Sequence, residues 1–130
     1  FPSLFKINKQ HVFNNKEPII LGGEVVEGVL KVGTPLCIPH LDFLDVGIVQ
    51  SIEVNGKDMV TARKGQECAV KIVNHSNPGM TYGRQFDHNH QLFSKVNRAS
   101  IDALKKYFKD DMKDADWRLV IKLKKVFSVI

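Results

Sequence analysis

Apolar positions alternate imperfectly from Leu4 to Phe13, with Phe5, Ile7 and later Val12 apolar, and the pattern breaks at Asn14-Asn15-Lys16-Glu17-Pro18. That spacing predicts a strand followed by a turn. The next run, Ile19 to Leu30, is β-branched and apolar with Gly22-Gly23 in its interior, a composition that suits a bulged or sharply bent strand rather than a helix. A turn over Lys31 to Pro35 leads into Leu36-Cys37-Ile38, and further short strands are predicted at Val46 to Val54, Met59-Val60, Cys68 to Val73 and Leu92 to Val96. Asn55-Gly56 has the pair of residues that best tolerates positive φ in a tight hairpin. Arg63-Lys64-Gly65 reads as another turn, and Asn74 to Gly79 as a loop. Short strands with regular turns and no intervening helix predict a closed barrel or a sandwich.

The period changes near Ser100. Ser100 is a good N-cap, and Ile101, Leu104, Phe108 and Met112 recur at helical spacing, so one helix is predicted over this stretch. A second helix is predicted from Asp114, which is expected to cap it, with Asp116 near the positive end and Lys124 and Lys125 near the negative end. Leu119, Val120, Leu123, Val126, Phe127 and Ile130 cover one side of this helix, and Trp117 and Ile121 extend the apolar arc further. A helix lying on a small domain needs a stripe of about 100° or somewhat more. Either the arc packs against both the barrel and the first helix, or Trp117, Val120 and Ile121 stay partly open beside a basic rim, and the two can hold together if Leu119, Leu123 and Val126 face the barrel. The second case describes a docking groove between the helices for an acidic, apolar peptide.

At 130 residues, 43% hydrophobic and 25% charged, the chain suits one globular core. It begins at Phe1, without an initiator methionine and inside a patterned segment, and is read as a domain excised from a longer polypeptide. The net charge of +5 suits a polyanionic partner without demanding one. Cys37 and Cys68 sit in apolar runs and read as free thiols in a reducing, cytoplasmic setting. No signal peptide or membrane-spanning run is evident, so no membrane partner is expected. Catalytic signals are poor. There is no Walker loop, no Gly-x-Ser-x-Gly and no His-Glu-x-x-His, and Gly22-Gly23 does not open a helix. His88-Asn89-His90 lacks further ligands at metal spacing, so no metal is expected and the pair reads as a solvated loop. Glu24, Glu27 and Glu53 could face one another across strands, an arrangement more usual for a surface than for an active site.

The stretch from Ile20 to Leu36 (Ile-Leu-Gly-Gly-Glu-Val-Val-Glu-Gly-Val-Leu-Lys-Val-Gly-Thr-Pro-Leu) resembles the barrels that follow the nucleotide-binding domain in translational GTPases, as do Val46 to Glu53 and Ala62 to Ile72. Tyr82-Gly83-Arg84-Gln85-Phe86, Arg98 to Lys105 and Asp116-Trp117-Arg118-Leu119 through Phe127 narrow the resemblance to the C-terminal domain of the translation initiation factor 5B family. It covers essentially the whole chain. It implies a mainly β fold, a translation-factor-type β-barrel over residues 1–98 followed by two C-terminal α-helices in a subdomain over residues 99–130, packed on the barrel as one unit. GTP and magnesium would belong to the parent protein, with no cofactor and no catalytic residue in this segment.

The resemblance also implies partners on the ribosome. The barrel would contact the acceptor end of methionyl initiator tRNA, and the helices would receive the acidic, isoleucine-bearing tail of initiation factor 1A, in support of ribosomal subunit joining by a monomeric domain. For the tail, the candidate residues are Leu104, Phe108, Trp117, Val120, Ile121, Lys124 and Lys125. In bacterial relatives the pocket for the aminoacylated end includes a Gly-x-Glu-Cys element, which here is Gly65-Gln66-Glu67-Cys68, and a cysteine where this chain has Gly23. Candidates for tRNA contact are therefore Gly23, Glu67 and Cys68, with Arg63, Lys64 and Arg84 for phosphates and Tyr82 or Phe86 for stacking on the single-stranded end. The alternative is a general single-stranded RNA-binding barrel with steep salt dependence. A small hydrolase would need a nucleophile and base in one cleft, and the sequence offers no convincing pair.

Overall fold

The computed structural model of the chain describes residues 2–16, 18–77, 79–95 and 98–127. Eight strands precede two helices: β1 (Ser3–Asn14), β2 (Ile19–Lys31), β3 (Pro35–Ile38), β4 (Leu44–Val54), β5 (Lys57–Met59), β6 (Thr61–Arg63), β7 (Glu67–Val73), β8 (Gln91–Ser94), α1 (Arg98–Tyr107) and α2 (Asp114–Val126). Six strands pair in the order β1-β8-β3-β4-β7-β2, and antiparallel pairing of β1 with β2 closes the ring into a barrel. Closure removes the sheet edges that an open sheet of this size would leave exposed. β5 hangs on β4 through a hairpin whose turn residues Asn55 and Gly56 have φ of 53° and 78°, the left-handed pair anticipated there.

Two apolar clusters hold the fold, and strand parity explains both. Phe5, Leu21, Leu36, Ile52, Ile72 and Leu92 point inward and fill the barrel. Their neighbours Leu4 and Phe93 point outward, where they meet Ile101, Leu104, Leu119 and Leu123 from the helices. The start of β1, Ser3-Leu4-Phe5, is thus buried on both faces, which is why its apolar residues are adjacent and do not alternate with polar ones. Gly28, with φ of 78°, lies where α2 docks: a Cβ there would run into the Pro2 carbonyl oxygen and the Leu119 Cδ2.

Several expectations need correction. The first helix does not continue to Met112. Phe108 leaves helical geometry with φ −126° and ψ 15°, and a 3-10 turn over Lys109–Asp111 follows. Asp110 and Asp111 would sit at the negative end of a longer helix, where carboxylates are unfavourable, whereas Lys105 and Lys106 suit the last turn of the shorter one. Met112 nevertheless reaches the core, from extended backbone. At its start α1 includes Arg98 and places Ser100 inside the helix, not at its cap.

In α2 the N-cap position is Lys113, not Asp114. The carboxylate of buried Asp116 accepts a hydrogen bond from the Lys113 amide at 3.0 Å, so the capping group reaches back from the third helical position. Strand β6 lies outside the predicted strands: Arg63 ends a three-residue strand on β2, and the turn proper is Lys64-Gly65. Val60 is a bend outside β5, and Val96 lies outside the described residues. The bulge at the glycine pair is present, but its extra residues belong to β1. Register jumps from Ile7↔Gly23 to Val12↔Leu21, so Asn8–His11 arch over Gly22.

Candidate functional site

On the outer face of the barrel, β2 and β7 run in the register Gly22↔Ala69, Gly23↔Cys68 and Glu24↔Glu67. The β1 arch crosses above them, and it can do so because the glycines leave room. A Cβ at Gly22 would lie 2.6 Å from the His11 Cβ, and one at Gly23 would strike the Lys6 carbonyl oxygen and the Phe5 ring. On either side of the arch lies a cleft. One, of ≈ 620 Å³, is bordered by Lys6, Lys9, Glu24 and His88. The other, of ≈ 490 Å³, lies between the arch and the β4–β5 hairpin and is bordered by Phe13, Ile20, Glu53, Asn55 and Cys68. His11, Gly23 and Glu67 line both.

Three of the six residues anticipated for tRNA contact, Gly23, Glu67 and Cys68, therefore converge, though in different ways. Glu67 is exposed and presents its carboxylate. Gly23 offers only backbone, and the side of it that a cysteine would occupy is already filled. Cys68 is 6% exposed and belongs to the barrel core, and burial pushes its thiol up to about 11, so it is a protonated apolar wall at neutral pH. Arg63 and Lys64 are exposed at the β6–β7 turn, where Gly65 donates its amide to Val25 at 2.8 Å. Arg84 is exposed in the Thr81–Phe86 turn, tied to the β1–β2 turn by the Tyr82 amide donating to Asn15 at 2.9 Å. None of the three lines either cleft.

Of the aromatic candidates, Phe86 is buried and Tyr82 packs edge-on against it with ring centroids 5.7 Å apart, so Phe86 is not free to stack on a ligand. Burial raises the Tyr82 phenol, which lies 3.3 Å from the Nδ1 of His88. The exposed aromatic at the clefts is instead Phe13, 64% accessible, its ring within 8° of parallel to that of His11 at 6.1 Å. Among the described residues no three His, Cys, Asp or Glu side chains are grouped to hold a metal ion. Glu24 faces Glu67 rather than Glu27 or Glu53, and Glu27 pairs with Lys122 of α2 at 3.6 Å.

The helical candidates divide. Leu104 and Phe108 border a third cleft, of ≈ 560 Å³, that runs between α1 and the barrel and has Lys31 and Lys95 on its rim. The Lys31 ammonium stands 5.5 Å from the centre of the Phe108 ring. Among the described residues no acidic side chain and no residue of α2 lines this cleft. On α2, Val120 is 4% exposed in the second apolar cluster, contrary to the expectation that it stays partly open, because Leu119, Val120 and Leu123 together form the face that docks. Trp117 and Lys124 are half-buried, Lys125 is exposed and Ile121 is 57% exposed.

Comparison with known proteins fits this architecture. Residues 1–93 match the model of the family "Elongation factor Tu domain 4". The chain belongs to that family. Human eukaryotic translation initiation factor 5B is 48% identical across 100% of this chain, which corresponds to 11% of the human protein. The Saccharomyces cerevisiae factor of the same name is 39% identical over 91% of the chain and 13% of its own length. Among solved structures, the GDP-bound aIF5B of Aeropyrum pernix superposes with a TM-score of 0.82 at 23% identity, over 96% of this chain and 20% of that one, which shows the shared fold. The segment is thus a domain of the initiation factor 5B/IF-2 group, spanning about a tenth of the length of the 5B relatives. The matched model is a translation factor's domain 4, not its nucleotide-binding domain. Among the described residues no helix is long and apolar enough to cross a membrane.

Proposed function

We propose that this domain serves a translational GTPase as a non-catalytic contact module on the ribosome. Its barrel engages the acceptor end of methionyl initiator tRNA, and its helical subdomain receives the acidic tail of initiation factor 1A, in support of subunit joining. The observation that carries the first part is the convergence of Gly23 with the Glu67-Cys68 pair, distant from it in sequence, on the floor of the clefts flanking the β1 arch. A single-stranded end fits such a recess where duplex RNA does not. Arg63 and Lys64, exposed at the β6–β7 turn, and Arg84, exposed in the Thr81–Phe86 turn, would neutralise phosphates further along the acceptor stem. For the second part, the cleft between α1 and the barrel combines apolar walls at Leu104 and Phe108 with two lysines and no acid, the complement of an acidic, isoleucine-bearing peptide. Ile121, Lys124 and Lys125 extend the contact along α2, beside Trp117, with buried Val120 supporting the helix from beneath.

Amide signals of the labelled chain test both parts. Methionyl initiator tRNA is expected to shift Gly23, Glu67 and Cys68, and enzymatic removal of its 3′ single strand should abolish those shifts. Equal shifts with trimmed tRNA would mean the clefts do not hold the acceptor end. A peptide ending in acidic and isoleucine residues is expected to shift Leu104, Phe108 and the stretch from Trp117 to Lys125, and silence there at millimolar peptide removes the helical contact.

A further inference from the structure

The chain has one Asn-Gly dipeptide, Asn55-Gly56, and the fold leaves it chemically open. Asparagine is among the thermolabile residues, and a glycine after it leaves the next backbone nitrogen unshielded. Both residues are exposed at the tip of the β4–β5 hairpin, with φ of 53° and 78°. Among the described residues no hydrogen bond holds the Asn55 side-chain amide or the Gly56 N–H. Nothing lies within 4 Å of the place a Gly56 Cβ would take, so water reaches the pair freely. Asn74 is the contrast. It is 5% exposed, and its side-chain amide donates to the carbonyls of Asp45 and Val46 at 2.9 and 3.2 Å.

The turn itself restrains the reaction. In a left-handed residue the following nitrogen is rotated away from the side chain, so the Asn55 amide and the Gly56 nitrogen meet only when the tip opens. β5 offers little resistance to that opening. Its three residues, Lys57–Met59, are all exposed, and among the described residues it pairs with β4 alone. Short strands paired on one side, with few buried contacts, belong to the part of a fold that opens locally.

We propose that Asn55 is a site of spontaneous deamidation, and that its acidic product turns the adjoining cleft against RNA. The Gly56 nitrogen bonds to the Asn55 Cγ, and Nδ2 leaves as ammonia, carrying off the proton of the Gly56 N–H. Water then opens the cyclic imide at one of its two carbonyls. Opening at Cγ leaves aspartate; opening at the main-chain carbonyl leaves isoaspartate, in which the main chain runs through Cβ and Cγ. Water is the one co-reactant, and no oxidation occurs. Either product adds a carboxylate to a cleft that Asn55 borders together with Glu53 and Glu67. Isoaspartate also lengthens a two-residue turn whose geometry matches the twist of its strands, which loosens β5 further. The effect on RNA rests on the acceptor-end reading above, whereas the deamidation does not.

The test incubates the folded chain and a urea-unfolded sample at pH 8, digests both, and resolves the peptide ending at Lys57 by chromatography and mass spectrometry. The expected result is that this peptide exchanges an amide for an acid in two separable forms, faster in the unfolded sample, while Asn74 of the folded chain keeps its amide. Gly56→Ala should suppress the conversion in both samples, because a Cβ crowds the attacking nitrogen whether or not the turn is formed. An Asn55 amide that survives in the folded chain over the time in which the unfolded chain loses it overturns the proposed site. Asn55→Asp reproduces the aspartate product. It should weaken binding of methionyl initiator tRNA about two- to fivefold at low salt, with the difference closing as salt rises. Equal affinity overturns the effect on RNA. If enzymatic removal of the 3′ single strand still weakens binding to the unsubstituted chain, the acceptor-end reading survives that failure. If trimming changes nothing, the acceptor-end reading fails with it, and the deamidation stands or falls on the peptide ending at Lys57.

Discussion

Leu123→Ala probes whether the helices are part of the domain's cooperative unit. Leu123 is fully buried on α2, in the cluster that joins Leu4 and Phe93 of the barrel to Ile101, Leu104 and Leu119. Truncation removes buried apolar atoms and leaves a cavity, a change that costs ~2–5 kcal/mol when the surroundings relax only in part. The surroundings here are poorly placed to relax, because Gly28 holds Pro2 and Leu119 in close approach at the same contact. Against a total stability of about 5–15 kcal/mol, a loss of ~3 kcal/mol is large. With a urea m-value of roughly 2 kcal/mol/M, the midpoint should fall by about 1.5 M. The assay is urea unfolding followed by Trp117 fluorescence, which reports on α2, and by the amide signals of barrel-core residues such as Val70 and Ile72, which report on the barrel. The two curves should coincide and shift together, while Ile121→Ala, at an exposed position, should move the midpoint by less than about 0.3 M. A fluorescence transition that moves alone, leaving the barrel where it was, would refute the view that the second apolar cluster welds helices and barrel into one unit.

Gly23→Cys should destabilise the domain by at least ~2 kcal/mol in the same unfolding assay, since the new side chain must displace the Lys6 carbonyl or the Phe5 ring; a neutral result would show that β1 can yield there. Asp116→Ala should cost ~1 kcal/mol through loss of the hydrogen bond from the Lys113 amide, with the deficit appearing in the helical signal. Burial raises the thiols of Cys37 and Cys68 from 9.0 to about 11, so both should resist alkylation at pH 8, and rapid labelling of the native chain at that pH would contradict their placement. Between pH 9 and 11 the unfolded chain loses these protons while the folded chain keeps them, so stability should fall across that window, and less steeply in Cys68→Ala.

Much of the barrel can be read directly from the chain. Alternating and apolar runs mark seven of the eight strands, the positive φ values at Asn55-Gly56 follow from residue type, and the second helix begins at Asp114, where its apolar and charged residues predict it. These are local properties, and one strand or one turn of backbone contains the information. β6 leaves no legible mark because three residues carry too little pattern, and the spacing overstates α1 because Met112 keeps helical periodicity while its backbone is extended.

The candidate site was legible in part. Glu67 and Cys68 sit in a recognisable element, and Leu104 and Phe108 do border a cleft, but the two clefts beside the arch depend on a register jump between β1 and β2. That jump is a property of the pair of strands and leaves no periodic mark on either. It turns His11 and Phe13 outward and brings Lys9 near His88, about eighty residues away in sequence. In the same way, the width of the apolar arc on α2 was fixed by the order of residues, but only docking against β2 at Gly28 decided that Val120 is covered and Ile121 is not. Residue order determined which surfaces are apolar, charged or able to turn; closure of the barrel determined which of them meet, because contact between distant segments depends on register and packing that no single segment encodes.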